Sequence, residues 1–227
     1  MQNKCIMSWQ KFATGFKIMR WDESNCDIEE NTYVIQAYQS GKWAFVADYF
    51  RFKILFEHGG IYMDTDTEIH KNLDLLCNHK AFFAFEKQDT VHAGIIGATP
   101  FHPIVLAILE TYNKDTFIGK LGKPKFVPVP VRITNILQQN GLKLDGCYQE
   151  LDDEVAIYPA NVLTLDMADG KCIVEHHYEF TWRTTNTEVS YKEYLIKENT
   201  RNSIISKLRR KIKRSLSRIK IYLRNYF

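Results

Sequence analysis

Hydrophobic positions are densest between Trp43 and Phe56, where WAFVADYFRFKILF is broken by only three charges, Asp48, Arg51 and Lys53. A segment apolar on every side predicts a buried helix. Lys53 can carry its ammonium out to water along its own stem. Asp48 and Arg51 stand three apart and so share one helix face. Gly59-Gly60 predicts the stop, because a helix end favours a residue free to turn left-handed. Ile61, Tyr62 and Met63 are strand formers, and Asp64-Thr65-Asp66 follows them. In an extended chain residues two apart point the same way, so both carboxylates can face one cation while Thr65 turns aside.

The pattern elsewhere predicts alternating elements. Cys5, Ile6, Trp9, Phe12 and Phe16 recur at helical spacing. Residues 17–21, KIMRW, read as a short strand before the turn Asp22-Glu23-Ser24-Asn25. Tyr33–Tyr38 is a helical piece, and Asp74–Cys77 begins a turn. Lys80–Phe85 is a strand ended by Glu86, and Val91–Ala98, VHAGIIGA, is strand-like. His102-Pro103 opens a helix to about Tyr112, with His102 as its cap. A Pro/Gly-rich loop over Gly119–Pro130 leads to a helix from Arg132 to Gln139, closed by Asn140-Gly141. Val155–Pro159 and Cys172–Phe180 read as strands, the second carrying His176 and His177. The order implies one α/β domain to about residue 190, and 227 residues suffice for a full core.

Charge divides the chain. Residues 192–227 hold 12 Lys and Arg against 2 Glu, a net +10, so the whole-chain +3 leaves −7 upstream. Within that segment Ile204, Leu208, Ile212, Leu216, Ile219 and Leu223 recur every three or four residues, predicting a basic amphipathic helix over 191–227. Anionic lipid is its first reading, and Tyr222, Tyr226 and Phe227 suit a bilayer interface. Packing on the body and nucleic-acid binding compete, but an acidic body without a recognised motif speaks against nucleic acid. No apolar run reaches the length of a membrane span and no signal peptide opens the chain. Five dispersed cysteines with no C-x-x-C pair fit a reducing compartment.

The chemistry concentrates at Asp64 and Asp66. A leaving diphosphate carries charge that a carboxylate-held Mg²⁺ or Mn²⁺ can neutralise as a Lewis acid. A lone D-x-D is common by chance and often only caps a turn. Here it follows a buried helix with an Asp/Arg pair, a double glycine and an apolar strand.

Those residues, Ala47-Asp48, Arg51, Gly59-Gly60-Ile61-Tyr62 and Asp64-Thr65-Asp66, resemble the sugar-binding region of DXD-containing glycosyltransferases. The nearest resemblance is to the bacterial capsular and lipopolysaccharide branch of family 32, with the glucosylating domains of large clostridial toxins further off. It extends over about Cys5–Trp182. It implies a GT-A-like fold, a mixed, mostly parallel sheet flanked by helices, and a retaining transfer of a hexose or N-acetylhexosamine from a nucleotide sugar, UDP first, with Mn²⁺ or Mg²⁺. By resemblance Asp66 ligates the metal, Asp64 contacts ribose and metal-bound water, and Asp48 and Arg51 bind the donor sugar beside Tyr62. A late histidine joins the metal, with His177 expected there and His176 turned away. Glu86 and Gly94 fall on the acceptor side, and Trp182 also belongs to the substrate site. The implied acceptor is a glycan or lipid-linked glycan at the cytoplasmic membrane face. The family's opening strand, which leads to the nucleotide base, has no counterpart in the sequence, so weak, poorly base-selective nucleotide binding is expected. The competing reading is a non-catalytic nucleotide-sugar or glycan-binding protein derived from such an enzyme.

Overall fold

The computed structural model describes residues 2–87, 89–165 and 169–178. Trp182 and the basic segment at 191–227, with their expected roles, lie outside the described residues. In chain order the helices are α1 (Gln2–Phe12), α2 (Thr32–Gln39), α3 (Trp43–His58), α4 (Pro103–Asn113), α5 (Val129–Gln139) and the short α6 (Ala160–Leu163). The strands are β1 (Gly60–Met63), β2 (Thr67–Ile69), β3 (Ala81–Lys87), β4 (Thr90–Val91), β5 (Ile95–Ala98), β6 (Gln149–Leu151), β7 (Val155–Tyr158) and β8 (Val174–His176).

The main sheet runs β1-β5-β3-β7-β6, with β4 added to β3, and β2 pairs with β8 in a separate ribbon. The sheet is mixed, but the expected majority of parallel pairs is not there. Among the described residues only β3 and β7 pair in parallel, while β1–β5, β3–β5, β3–β4 and β6–β7 are antiparallel. The parallel pair sits at the centre and is covered on both faces, as such pairs require. Along β3 successive side chains alternate faces. Phe83 and Phe85 enter a core with Phe52, Leu55, Ile108 and Leu137 from the longer helices, and Phe82 and Ala84 enter a second core with Trp9, Ile69 and Leu163. Gly97 admits the Phe82 ring, because a Cβ there would lie 2.0 Å from Phe82 Cε1.

The buried helix is the predicted one, extended to His58. The strand expected at residues 17–21 is absent, and that stretch joins no ladder. Its apolar members Ile18 and Met19 are about half exposed, so nothing is buried that a ladder would secure. The run Val91–Ala98 breaks into β4 and β5, and of the strand expected over Cys172–Phe180 the described residues 172–178 contain only β8. His102 caps α4 as expected, its Nδ1 accepting from Ile104 N at 3.2 Å. Thr134 is structural, its Oγ1 accepting from the buried Val91 N at 3.0 Å.

Candidate active site

The site forms where β1 returns against α3. Gly59 and Gly60 reverse the chain with φ of 66° and 96°, and a Cβ on Gly59 would lie 2.5 Å from Pro100 Cδ. Both demands favour glycine. After β1 the backbone turns. Asp64 N donates to Gly94 O at 2.8 Å, and Thr67 N donates to Asp64 O at 3.0 Å. Asp64 and Asp66 therefore flank a tight turn instead of sharing a strand face, and the turn is what aims them together.

The β2–β8 ribbon supplies the third group. Thr67 stands opposite His176 in the register. His176 Nε2 lies 3.1 Å from Asp66 Oδ1 and 3.5 Å from Asp64 Oδ2. The histidine expected at the carboxylates was His177, and the structure places His176 there instead. Neighbours on a strand face opposite ways, and His177 falls on the far side, its Nε2 2.9 Å from Glu68 Oε2. The ligand atoms of Asp64, Asp66 and His176 all lie within 4.8 Å of one another. Two carboxylates and an imidazole fit a divalent first-row ion. Glu68, His70 and Glu175 form a second group of this kind across the ribbon. There the Lys4 ammonium, 2.8 Å from Glu68 Oε2, already supplies positive charge.

Behind the carboxylates lies a buried cation. Arg51 and Asp48 are 6% and 7% exposed. Arg51 Nη2 donates to Asp48 Oδ1 at 2.9 Å and lies 3.6 Å from Asp64 Oδ1, while Nη1 donates to Ala93 O at 2.5 Å. Its guanidinium stands 4.7 Å over the Tyr62 ring, and Tyr62 Oη donates to Asp64 Oδ1 at 2.7 Å. Asp48, Arg51, Tyr62 and Asp64 thus form one connected group, in which Arg51 and Tyr62 back up Asp64. Burial alone would push the Asp64 carboxyl up. The Arg51 charge and hydrogen bonds from His176 and Tyr62 outweigh it and hold Asp64 well below the usual carboxylate range. Asp48 goes the other way, as burial pushes it up to about 6 against the opposing Arg51 charge. Its folded value exceeds its unfolded one, so its contribution to stability is lost as pH rises towards 6 and its ionised form costs the fold near neutrality.

Gly94 lies beneath this cluster. A Cβ there would sit 2.4 Å from His92 Nε2, 2.6 Å from His176 Cδ2 and 3.0 Å from Asp64 Oδ2. Its part at the site is therefore to be small. Glu86, near the end of β3, is half-buried, and its charge acts on Tyr178. His92 was not foreseen in the sequence, where it passes for one more member of a strand. It is 4% exposed, and its ring packs 4.6 Å from that of His176 and 5.6 Å from that of Tyr178.

Residues 1–83 match the glycosyltransferase sugar-binding region containing the DXD motif. That span holds Asp48, Arg51, Tyr62, Asp64 and Asp66. The likeness to DXD-containing glycosyltransferases covers less than half of the chain. It is 34% identical over 103 residues to an uncharacterized glycosyltransferase of Acanthamoeba polyphaga mimivirus, covering 41% of each chain. It is 33% identical over 141 residues to the mannosyl phosphorylinositol ceramide synthase CSH1 of Saccharomyces cerevisiae, covering 56% of this chain and 36% of the relative. A second yeast synthase of that name, SUR1, is 31% identical over 110 residues, 45% of this chain and 29% of the relative. The chain spans less than half the length of these relatives. No solved structure matches it significantly. His176, Gly94 and His92 lie beyond the part that the family description covers, and the fold brings them to it.

Proposed function

We propose that the chain is a metal-dependent glycosyltransferase that takes a hexose or N-acetylhexosamine from a nucleoside diphosphate sugar with retention of configuration. The observation that carries this is the convergence of Asp64, Asp66 and His176, with both carboxylates inside the span that matches the DXD-containing region. A Mn²⁺ or Mg²⁺ ion held there supplies Lewis acidity toward the departing diphosphate. The chain's own residues do the rest. Arg51 and Tyr62 keep Asp64 ionised and fixed, and a preorganised group needs no rearrangement during reaction. Asp48 and Arg51 also form the wall against which the donor sugar is oriented. Keeping Asp48 ionised costs the fold stability near neutral pH, which suits a residue retained for binding.

Glu86 and Gly94 belong to the acceptor side of this reading, and Trp182 to the substrate site. The names of the yeast relatives favour mannose as the hexose and an acceptor carried on lipid. A glycan or lipid-linked glycan of surface polysaccharide synthesis, reached from the inner membrane face, is the corresponding bacterial acceptor. No helix among the described residues is long and apolar enough to cross a membrane. Attachment through the basic segment at 191–227 is consistent with that. The test is hydrolysis of a panel of UDP-, GDP- and ADP-sugars with Mn²⁺, with and without chelator. Cleavage of one donor, abolished by chelation, is expected. No cleavage of any donor, or cleavage indifferent to chelation, contradicts the proposal.

A further inference from the structure

In the described part of the site, Arg51 Nε and His92 Nε2 are buried polar atoms without a hydrogen-bond partner, and only the second borders Gly94. His92 Nε2 is fully enclosed and has no hydrogen-bond partner. Its position is fixed from two sides. The ring is held at 69° against His176 and at 63° against Tyr178, and Nε2 abuts Gly94. The same small space above the Gly94 Cα is bounded by His176 Cδ2 and Asp64 Oδ2. His92 Nε2 thus borders the same space as His176 and the Asp64 carboxylate. An unprotonated ring nitrogen can accept a hydrogen bond from a ligand.

We propose that His92 is a positioning residue of the metal centre, its Nε2 holding one of the coordinating waters of the divalent ion seated on Asp64, Asp66 and His176. This rests on the reading of those three residues as the ion's holders. Groups that orient a metal's coordination sphere from behind commonly change its affinity by about 10–100-fold. A buried polar atom that lacks its partner in the metal-free protein also weakens the fold, so replacing it by an apolar ring of similar shape relieves a cost.

The experiment is Mn²⁺ titration by calorimetry of the full chain, alongside His92→Phe and His92→Gln. Asp66→Ala serves as the control for the underlying site. Wild type binds one Mn²⁺, and Asp66→Ala abolishes binding. His92→Phe is expected to weaken Mn²⁺ binding about tenfold while the metal-free protein melts at the same or a higher temperature. His92→Gln, which restores a polar atom, should recover most of the affinity. A residue that merely fills space would shift the melting temperature and leave the affinity alone. Should the variants fail to fold, ring ¹⁵N shifts of wild-type His92 on Mg²⁺ addition give the same answer, with a change at Nε2 expected. Unchanged Mn²⁺ affinity in His92→Phe, or a silent Nε2, overturns the proposal and leaves the Asp64–Asp66–His176 site standing. Failure of wild type to bind Mn²⁺ overturns both.

Discussion

His176 and His177 are neighbours in sequence and end on opposite sides of one short ribbon. The sequence shows a His-His pair in an apolar run but does not show which member faces inward. That depends on the register of β2 with β8, and three-residue strands carry too little alternation to reveal it. The same limit hid His92, whose importance comes from Gly94 and His176 beside it in space. The residues legible in advance were those whose meaning is local: the Asp/Arg pair three apart, the double glycine and the carboxylates. Even there the mechanism differs from the expected one, since a turn and not the strand pleat aims Asp64 and Asp66. The two histidines now separate by experiment. His176→Ala should lower Mn²⁺ affinity by roughly tenfold or more, whereas His177→Ala should leave it within a small factor. Calorimetric titration of both variants checks this, and equal effects would contradict the placement.

At the scale of elements, α3 was the most legible part of the chain, because the run Trp43–Phe56 is apolar around nearly its whole circumference and has few other uses. Sheet direction was the least legible. Buried strands read as apolar runs whether paired parallel or antiparallel, and a family resemblance supplied the mostly parallel expectation. The packing of α4 and α5 was also invisible. Arg132 of α5 is 8% exposed, lies 4.4 Å over Tyr112 and 5.3 Å over Tyr33, and donates to Asp115 Oδ2 at 2.6 Å. Lys125 bonds the other Asp115 oxygen. Burial would raise the Asp115 carboxyl, but the hydrogen bonds from Lys125 and Arg132 outweigh it and hold it below its ordinary value. The unfolded chain then binds the proton more tightly. This contribution to stability is present above the ordinary carboxylate range and is lost as pH falls through the folded value. Asp115→Asn leaves Arg132 buried without its counter-charge and should destabilise by about 1–3 kcal/mol at pH 7. The difference from wild type should shrink as both are acidified. Urea unfolding at pH 7 and at pH 3 measures this, and a pH-independent difference would contradict the charge assignment.

At the scale of the molecule, the acidic body and the basic segment at 191–227 divide the labour in the proposed reading. The body carries the site and the segment attaches it to anionic lipid. Truncation after Thr200 should release the protein from vesicles containing anionic lipid and leave donor hydrolysis largely unchanged. Added salt should weaken attachment of the full chain, because that attraction is partly Coulombic and is screened within about 10 Å at 0.1 M. Flotation of full-length and truncated chains decides the matter, and equal binding of the two would remove the segment from the account.

The central claim is that Asp64, Asp66 and His176 hold the ion on which sugar transfer depends. Donor-sugar hydrolysis by wild type and Asp66→Ala across a Mn²⁺ titration tests it most directly, with circular dichroism confirming that both are folded. Asp66 lies in a turn, partly buried and outside both hydrophobic cores, so its removal should spare the fold. The account predicts saturable, Mn²⁺-dependent hydrolysis by wild type and a loss of at least about a hundredfold in Asp66→Ala, the scale expected when an electrostatic stabiliser of the leaving charge is removed. Full activity in Asp66→Ala would contradict it.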